Sequence, residues 1–388
     1  MTILKSSLGL ICVLILASNI VTMSRWSETR GVYDDLCYLR QAHLFQRFGV
    51  SGLDTSASRD DDGFMAGKLK GIGFAGWSDP KAWPCHTPMP AGKSVLQYPP
   101  GTGFVLALFP QGFQVTSLYI AANLIVCGFA LFGIFHAQSP FWILSTGGFG
   151  ALATYLMISP GKASYSIAPT MALCAVAGFL TALWLVRASR SVWPVALLGL
   201  LLGLSVNVRL PNLFLAAGYA LYLGVSFLWT RKPRTFAQGV GFAGAFVLGM
   251  APTLIANAIN AGSPFATTYG GVDAVAPAFD PTVLRQYLGD MQFALILATM
   301  GSIAWLWRMG TGGAQQVALL CAANLAVNLA FFLSHPIFTP YYVVPVAMLS
   351  LWTLSFGWIM QSAVVPNPIP LDPTAKTQLQ TANIRGLQ

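Results

Sequence analysis

Apolar runs of membrane-crossing length follow one another along most of the chain, each ended by a short polar or Gly/Pro-rich break. A helix needs roughly 17 to 25 apolar residues to cross the hydrocarbon core, and only helices or closed barrels keep the backbone hydrogen-bonded there. The pattern predicts ten such helices: Leu8–Met23, Val115–Phe135, Phe141–Ile158, Tyr165–Val186, Trp193–Asn207, Asn212–Trp229, Phe236–Asn257, Met291–Trp307, Gln315–Ser334 and Tyr341–Met360. The stretch Gly103–Phe109 is too short to cross, is stopped by Pro110, and is expected to be re-entrant or interfacial. The first run also fits a cleaved leader with Leu8–Ala17 as its apolar core; an uncleaved anchor is the preferred reading.

Two long polar segments, 24–100 and 258–290, interrupt this pattern. Short loops carry Arg187 and Arg190, then Arg231, Lys232 and Arg234, then Arg308, while the alternate loops carry only Lys162 and Arg209. Because Lys and Arg collect in cytoplasmic loops, both termini are expected inside and both long segments outside. Residues 1–360 thus read as one all-α polytopic membrane unit. The Pro-rich remainder, 361–388, is expected to be a disordered cytoplasmic tail.

Composition supports this reading. A hydrophobic share of 55% with 9% charged residues excludes a soluble globule, whose charged share is roughly 25%. The net charge of +9 comes from residues scattered over loop ends, not from a basic helix, so nucleic acid is not an expected partner. Of the 12 acidic residues, only Asp372 lies outside the two long segments. Chemistry that needs a carboxylate is therefore expected outside. Cys12, Cys127, Cys174 and Cys321 fall in spans and read as small buried hydrophobes, whereas Cys37 and Cys85 share the first loop and could pair in an oxidising compartment.

Asp34 and Asp35 stand just past the first span, at the head of Tyr38-Leu-Arg-Gln-Ala-His-Leu-Phe-Gln-Arg-Phe. At helical spacing Tyr38, Ala42, Phe45 and Phe48 share one side, with Arg40, His43 and Arg47 largely on the other, which suits a helix lying at the membrane surface. Taken alone, the two aspartates read as helix caps. The loop ends in Gln97-Tyr98-Pro99-Pro100-Gly101, the second acidic segment opens with Gly262-Ser263-Pro264-Phe265, and Ser334-His335-Pro336 leads to Tyr341 and Tyr342. Asp60-Asp61-Asp62-Gly63 contains an Asp-x-Asp, but it reads as a solvated acidic turn.

In this order, Asp-acidic-x-x-Tyr after the first span, Tyr-Pro-Pro before the second, a late Gly-Ser-Pro-Phe loop and a His-bearing mouth resemble the membrane-embedded GT-C glycosyltransferases. The protein O-mannosyltransferase and aminoarabinose-transferase branch is the most similar. The resemblance implies transfer of a sugar from a polyprenyl-phosphate carrier to a lipid, glycan or protein acceptor outside a bacterial inner membrane. By position it makes Asp34 the catalytic acid of the first loop, Asp35 its acidic neighbour and Tyr38 the tyrosine that follows. The chain departs from the family in being short, in having fewer spans and in carrying Tyr98 where the aminoarabinose branch has a phosphate-binding lysine; Lys93 is the nearest substitute.

The chemistry also has a logic of its own. An acceptor hydroxyl or amine attacking an anomeric carbon must lose a proton, which Asp34 can take, and fixed cations stabilise the phosphate that leaves. Arg209 and His335 are the first candidates for that charge, with Lys93, Lys162 and Arg285 behind them and Tyr98 and Tyr341 lining the donor. No resident cofactor is evident, and room is left for a divalent cation. The chain has no P-loop, dinucleotide fingerprint, zinc-protease or Cys-x-x-Cys motif. The competing expectations are a secondary transporter or lipid flippase, although the predicted spans contain no acidic residue of the kind transporters place at the midplane, and a surface-glycan polymerase or ligase.

Overall fold

The computed structural model describes residues 1–28, 33–90, 92–158, 164–189, 191–270, 275–339 and 341–364. Each predicted span is a helix. The first is α1 (Thr2–Met23), followed by a loop containing α2 (Tyr33–Phe48), α3 (Phe64–Gly71), a hairpin of β1 (His86–Pro88) and β2 (Ser94–Leu96), and α4 (Gly101–Ala107). Then come α5 (Gln114–His136), α6 (Pro140–Ile158), α7 (Ile167–Val186), α8 (Trp193–Val208), α9 (Leu213–Thr230) and α10 (Pro233–Ala261). The chain closes with α11 (Pro281–Gly289), α12 (Met291–Met309), α13 (Gly313–Ser334) and α14 (Val343–Val364). The last helix extends past the expected boundary at residue 360, and the rest of the predicted tail lies outside the described residues.

Not every one of the ten expected spans is a helix of crossing length. Among the described residues eight helices are long and apolar enough to cross a bilayer, and a ninth exists if α11 and α12, bent by 78° at their junction, act as one. Helix α8 has 16 residues, a length of roughly 24 Å, short of a hydrocarbon core of about 30 Å. The bend between α11 and α12 is made by capping. Asp280 accepts from the Thr282 amide (2.7 Å) and Asp290 from that of Gln292 (3.0 Å), so two carboxylates of the second segment hold helix starts.

Helix α14 is the axis of the bundle. Its Trp352 and Phe356 are buried, and it packs along α7, α12 and α13. One apolar cluster joins α1, α5, α6, α7 and α14, and a second joins α7, α8, α9, α13 and α14. Helices α8 and α10 meet backbone to backbone, because a Cβ on Gly199, Gly203 or Gly249 would run into a carbonyl of the facing helix. Gly241 faces Val192, whereas Gly244 faces open space. Gly203→Leu is expected to lower stability by about 1–3 kcal/mol through overpacking, read as a lower melting temperature in detergent. An unchanged melting temperature would show that the close approach is not needed.

The described part of the loop 24–100 is fastened to the bundle end where α5 and α7 begin and α10 finishes. Helix α2 is not the surface-lying amphipathic helix of the sequence reading. Leu36, Cys37, Leu39, Arg40, Gln41, Ala42 and Leu44 are all buried, so both its faces are covered. On one side α4 fits closely because Gly103 leaves room for the Gln41 side chain. The short run expected to be re-entrant or interfacial is a two-turn helix packed on α2 and α8. On the other side the Asp60–Asp62 run is clamped onto α2.

That clamp gives the Asp-x-Asp motif its role. Buried Arg40 donates to the carbonyls of Thr55 (2.9 Å) and Ser56 (2.8 Å) with Asp60 3.8 Å away, His43 meets Asp62 at 2.6 Å, and Arg47 holds Asp61. Asp60 also accepts from the Met65 amide (2.9 Å) at the start of α3. The run is an exposed turn, as expected, whose carboxylates are paired with α2. Arg47 pulls the Asp61 carboxyl below its ordinary 3.8; burial pushes Asp62 up, but its bonds from His43 and the Phe64 amide outweigh this and lower it as well. Folded values below the unfolded ones mean that this stabilisation is present above about pH 4 and lost as pH falls through the folded values. Limited proteolysis in loop 49–71 is therefore expected to speed up below about pH 4, and Asp61→Asn should reduce that acid response. Cleavage independent of pH would dismiss the clamp.

Candidate functional site

The first turn of α2 places the two acids differently. Asp35 is fully buried, and its Oδ1 accepts from the Tyr165 amide (3.1 Å), tying α2 to the entrance of α7. Asp34 is half-buried and accepts a 2.7 Å hydrogen bond from the Tyr98 hydroxyl. The disulfide between Cys37 and Cys85, with Cα atoms 6.4 Å apart, anchors this turn to the start of the hairpin. The sequence had left that pairing open.

Tyrosines frame the Asp34 carboxylate. The Tyr38 ring stacks on Tyr98 with centroids 4.9 Å apart, and Tyr269 meets Tyr98 edge-on at 6.1 Å. Burial, then the Asp34 charge, raises the Tyr98 phenol far above its ordinary 10; burial and the same charge raise Tyr38. Burial also raises Tyr269. All three remain neutral hydroxyl donors at physiological pH.

A cation completes the cluster. Arg209, at the α8–α9 junction, donates to the Tyr341 carbonyl (3.1 Å), and its guanidinium lies 5.0 Å from the Tyr342 ring centroid. Tyr38 and Tyr269 each lie within electrostatic reach of both Arg209 and Asp34. Among the described residues no carboxylate lies within ion-pairing distance of Arg209. His335 joins through Tyr342, with ring centroids 6.1 Å apart.

Other predicted site residues fall elsewhere. Tyr341 is buried and offers its carbonyl to Arg209, while the ring beneath the guanidinium belongs to Tyr342. Lys93 is exposed at the tip of the hairpin, five residues before Tyr98 along an extended chain, and so roughly 16 Å from it. Arg285 is exposed on α11. Lys162 lies outside the described residues. Among the described residues no three His, Cys, Asp or Glu side chains gather as a metal set. Tyr269 and Tyr342 were not among the predicted site residues. The signal for Tyr269 was its place in the Gly-Ser-Pro-Phe loop; for Tyr342 it was one of two adjacent tyrosines.

Beside the polar cluster lies an apolar cavity of about 670 Å³. Leu118 and Ala122 of α5, Ala172 and Val176 of α7, and Leu204 of α8 are among its walls. Pro100, Gly101, Asn207 and Val208 also line it, so the segments that carry Tyr98 and Arg209 continue directly into its wall. A second cavity of about 200 Å³, bordered by Pro99, Thr253, Asn257 and Tyr269, lies across α10 from the first. Comparison with known proteins finds no matching protein family, no matching characterised protein and no matching solved structure.

Proposed function

We propose that this protein is a glycosyltransferase that moves a sugar from a polyprenyl-phosphate carrier to a hydroxyl or amine acceptor, with Asp34 as general base. The observation that carries the reading is an apolar, lipid-sized cavity whose wall is continued by the segments bearing Tyr98 and Arg209, next to a tyrosine-framed carboxylate and a cation without a carboxylate partner among the described residues. The isoprenoid tail would lie along the cavity, and the phosphate would meet the Arg209 guanidinium. Tyr38, Tyr98, Tyr269 and Tyr342 would present rings and hydroxyls to the sugar.

In the reaction the acceptor oxygen or nitrogen bonds to the anomeric carbon as the bond from that carbon to the phosphate oxygen breaks. The acceptor proton passes to Asp34, and the electron pair leaves with the lipid phosphate, whose charge Arg209 stabilises. The site would face the outer side of a bacterial inner membrane, where the Cys37–Cys85 disulfide can persist. The test is mass spectrometry of envelope lipids, glycans and proteins from cells with and without the chain. Loss of one sugar mass, restored by the intact chain, is expected; no sugar difference in any fraction of expressing cells would favour transport instead.

A further inference from the structure

Helix α10 carries Pro252 in its interior, which removes the amide that would bond the Leu248 carbonyl and weakens the helix at that turn. The next rung is occupied from outside. The Asn207 carboxamide of α8 accepts from the Thr253 amide (2.9 Å) and hydroxyl (2.7 Å), and donates to the Gly249 carbonyl (2.6 Å). It thus bridges the donor and acceptor that an uninterrupted helix would bond to each other. Below this joint α10 is locked on α8 by the backbone contacts at Gly199, Gly203 and Gly249. Above it the fastening is at the tip, where Asn260 donates to the Leu53 carbonyl (2.8 Å) and accepts from the Thr55 amide (2.9 Å).

The segment above the joint separates two cavities. Pro252 and Ile255 line the apolar one, and Thr253, Leu254 and Asn257 line the small one. Val50 and Leu53, on the short turn to which Asn260 is tied, also line the apolar cavity, and Val50 (80% exposed) and Ile255 (51%) stand at its open mouth. Moving this segment therefore widens one space and narrows the other.

We infer that residues 253–261 of α10 form a hinged partition, pivoting at Pro252 with Asn207 as its clasp, that exchanges volume between the two cavities. Resting on the proposed lipid-carrier reading, the inference adds that an isoprenoid chain entering the apolar cavity pushes the partition toward the small one. A bound carrier thereby reshapes the space beside Tyr269 and Pro99. A carboxamide suits the clasp because it offers one acceptor for the Thr253 amide and one donor for the Gly249 carbonyl.

Spin labels on the full-length protein in nanodiscs test this. The four free cysteines are buried, so labels go to introduced ones: Ile259→Cys above the joint or Val247→Cys below it, each paired with Leu124→Cys on α5. The upper pair is expected to give a broad or two-peaked distance distribution and the lower pair a narrow one. Pro252→Ala should collapse the upper distribution to one peak, Asn207→Ala should broaden it, and undecaprenyl phosphate should shift it to longer distance. An upper pair as narrow as the lower one, insensitive to both substitutions, overturns the hinge. An upper pair that responds to the substitutions but not to undecaprenyl phosphate supports the hinge and counts against the lipid carrier.

Discussion

Asp34→Asn is expected to lower transfer by about 10²- to 10⁴-fold, the usual contribution of a positioned general base, while the protein remains folded and inserted. Asparagine has nearly the same shape, and its amide oxygen can still accept the 2.7 Å hydrogen bond from Tyr98. What it cannot do is take the acceptor proton. Cells complemented with this variant should lack the same sugar mass as cells without the chain. Normal glycosylation at normal expression would end the mechanism.

The neighbouring acid provides the control. Asp35 is fully buried against the entrance of α7, so Asp35→Ala leaves the Tyr165 amide without that acceptor. A buried donor left unsatisfied costs about 1–3 kcal/mol. The expected signature is a lower melting temperature, with activity falling only in step with folded protein. The two substitutions therefore separate chemistry from architecture at adjacent positions.

The membrane character of the fold was legible because ten apolar runs carry their own length signal, and each became a helix. The number that can cross was less legible. Helix α8 is stopped by the Asn207–Arg209 junction, and α12 is turned by its Asp290 cap, both local events that hydropathy does not record. The order of motifs drew attention to Asp34, Tyr38 and Tyr98, which the fold brings together, and the charge of a leaving phosphate drew attention to Arg209. Their neighbours Tyr269 and Tyr342 come from segments more than 170 residues beyond Tyr98, and no periodicity within a loop reports such a long-range meeting. The same limit explains the Asp60–Asp62 run: its partners lie on one face of α2, so its pairing emerges only when helix and loop are seen packed together.

Arg209→Gln is expected to reduce transfer by about 10²- to 10³-fold, the scale for removing one fixed electrostatic stabiliser. The guanidinium has five N–H donors and uses one on the Tyr341 carbonyl, so most of its fork is left for an anion. The backbone is bent to provide that carbonyl: Tyr341 has φ of +67°, a left-handed conformation that costs a bulky residue on the order of 1–3 kcal/mol. Such strain persists where the surroundings over-determine it, and here it sets the Tyr342 ring under Arg209 and the Tyr341 carbonyl beside it. Arg209→Lys keeps the charge but loses the planar fork, and should recover only part of the rate. If Arg209 served structure alone, both variants would lower the melting temperature and leave the turnover of folded protein unchanged. If it holds the leaving phosphate, the lysine variant should melt normally and show its loss in donor turnover, measured with purified protein and a polyprenyl-phosphate sugar.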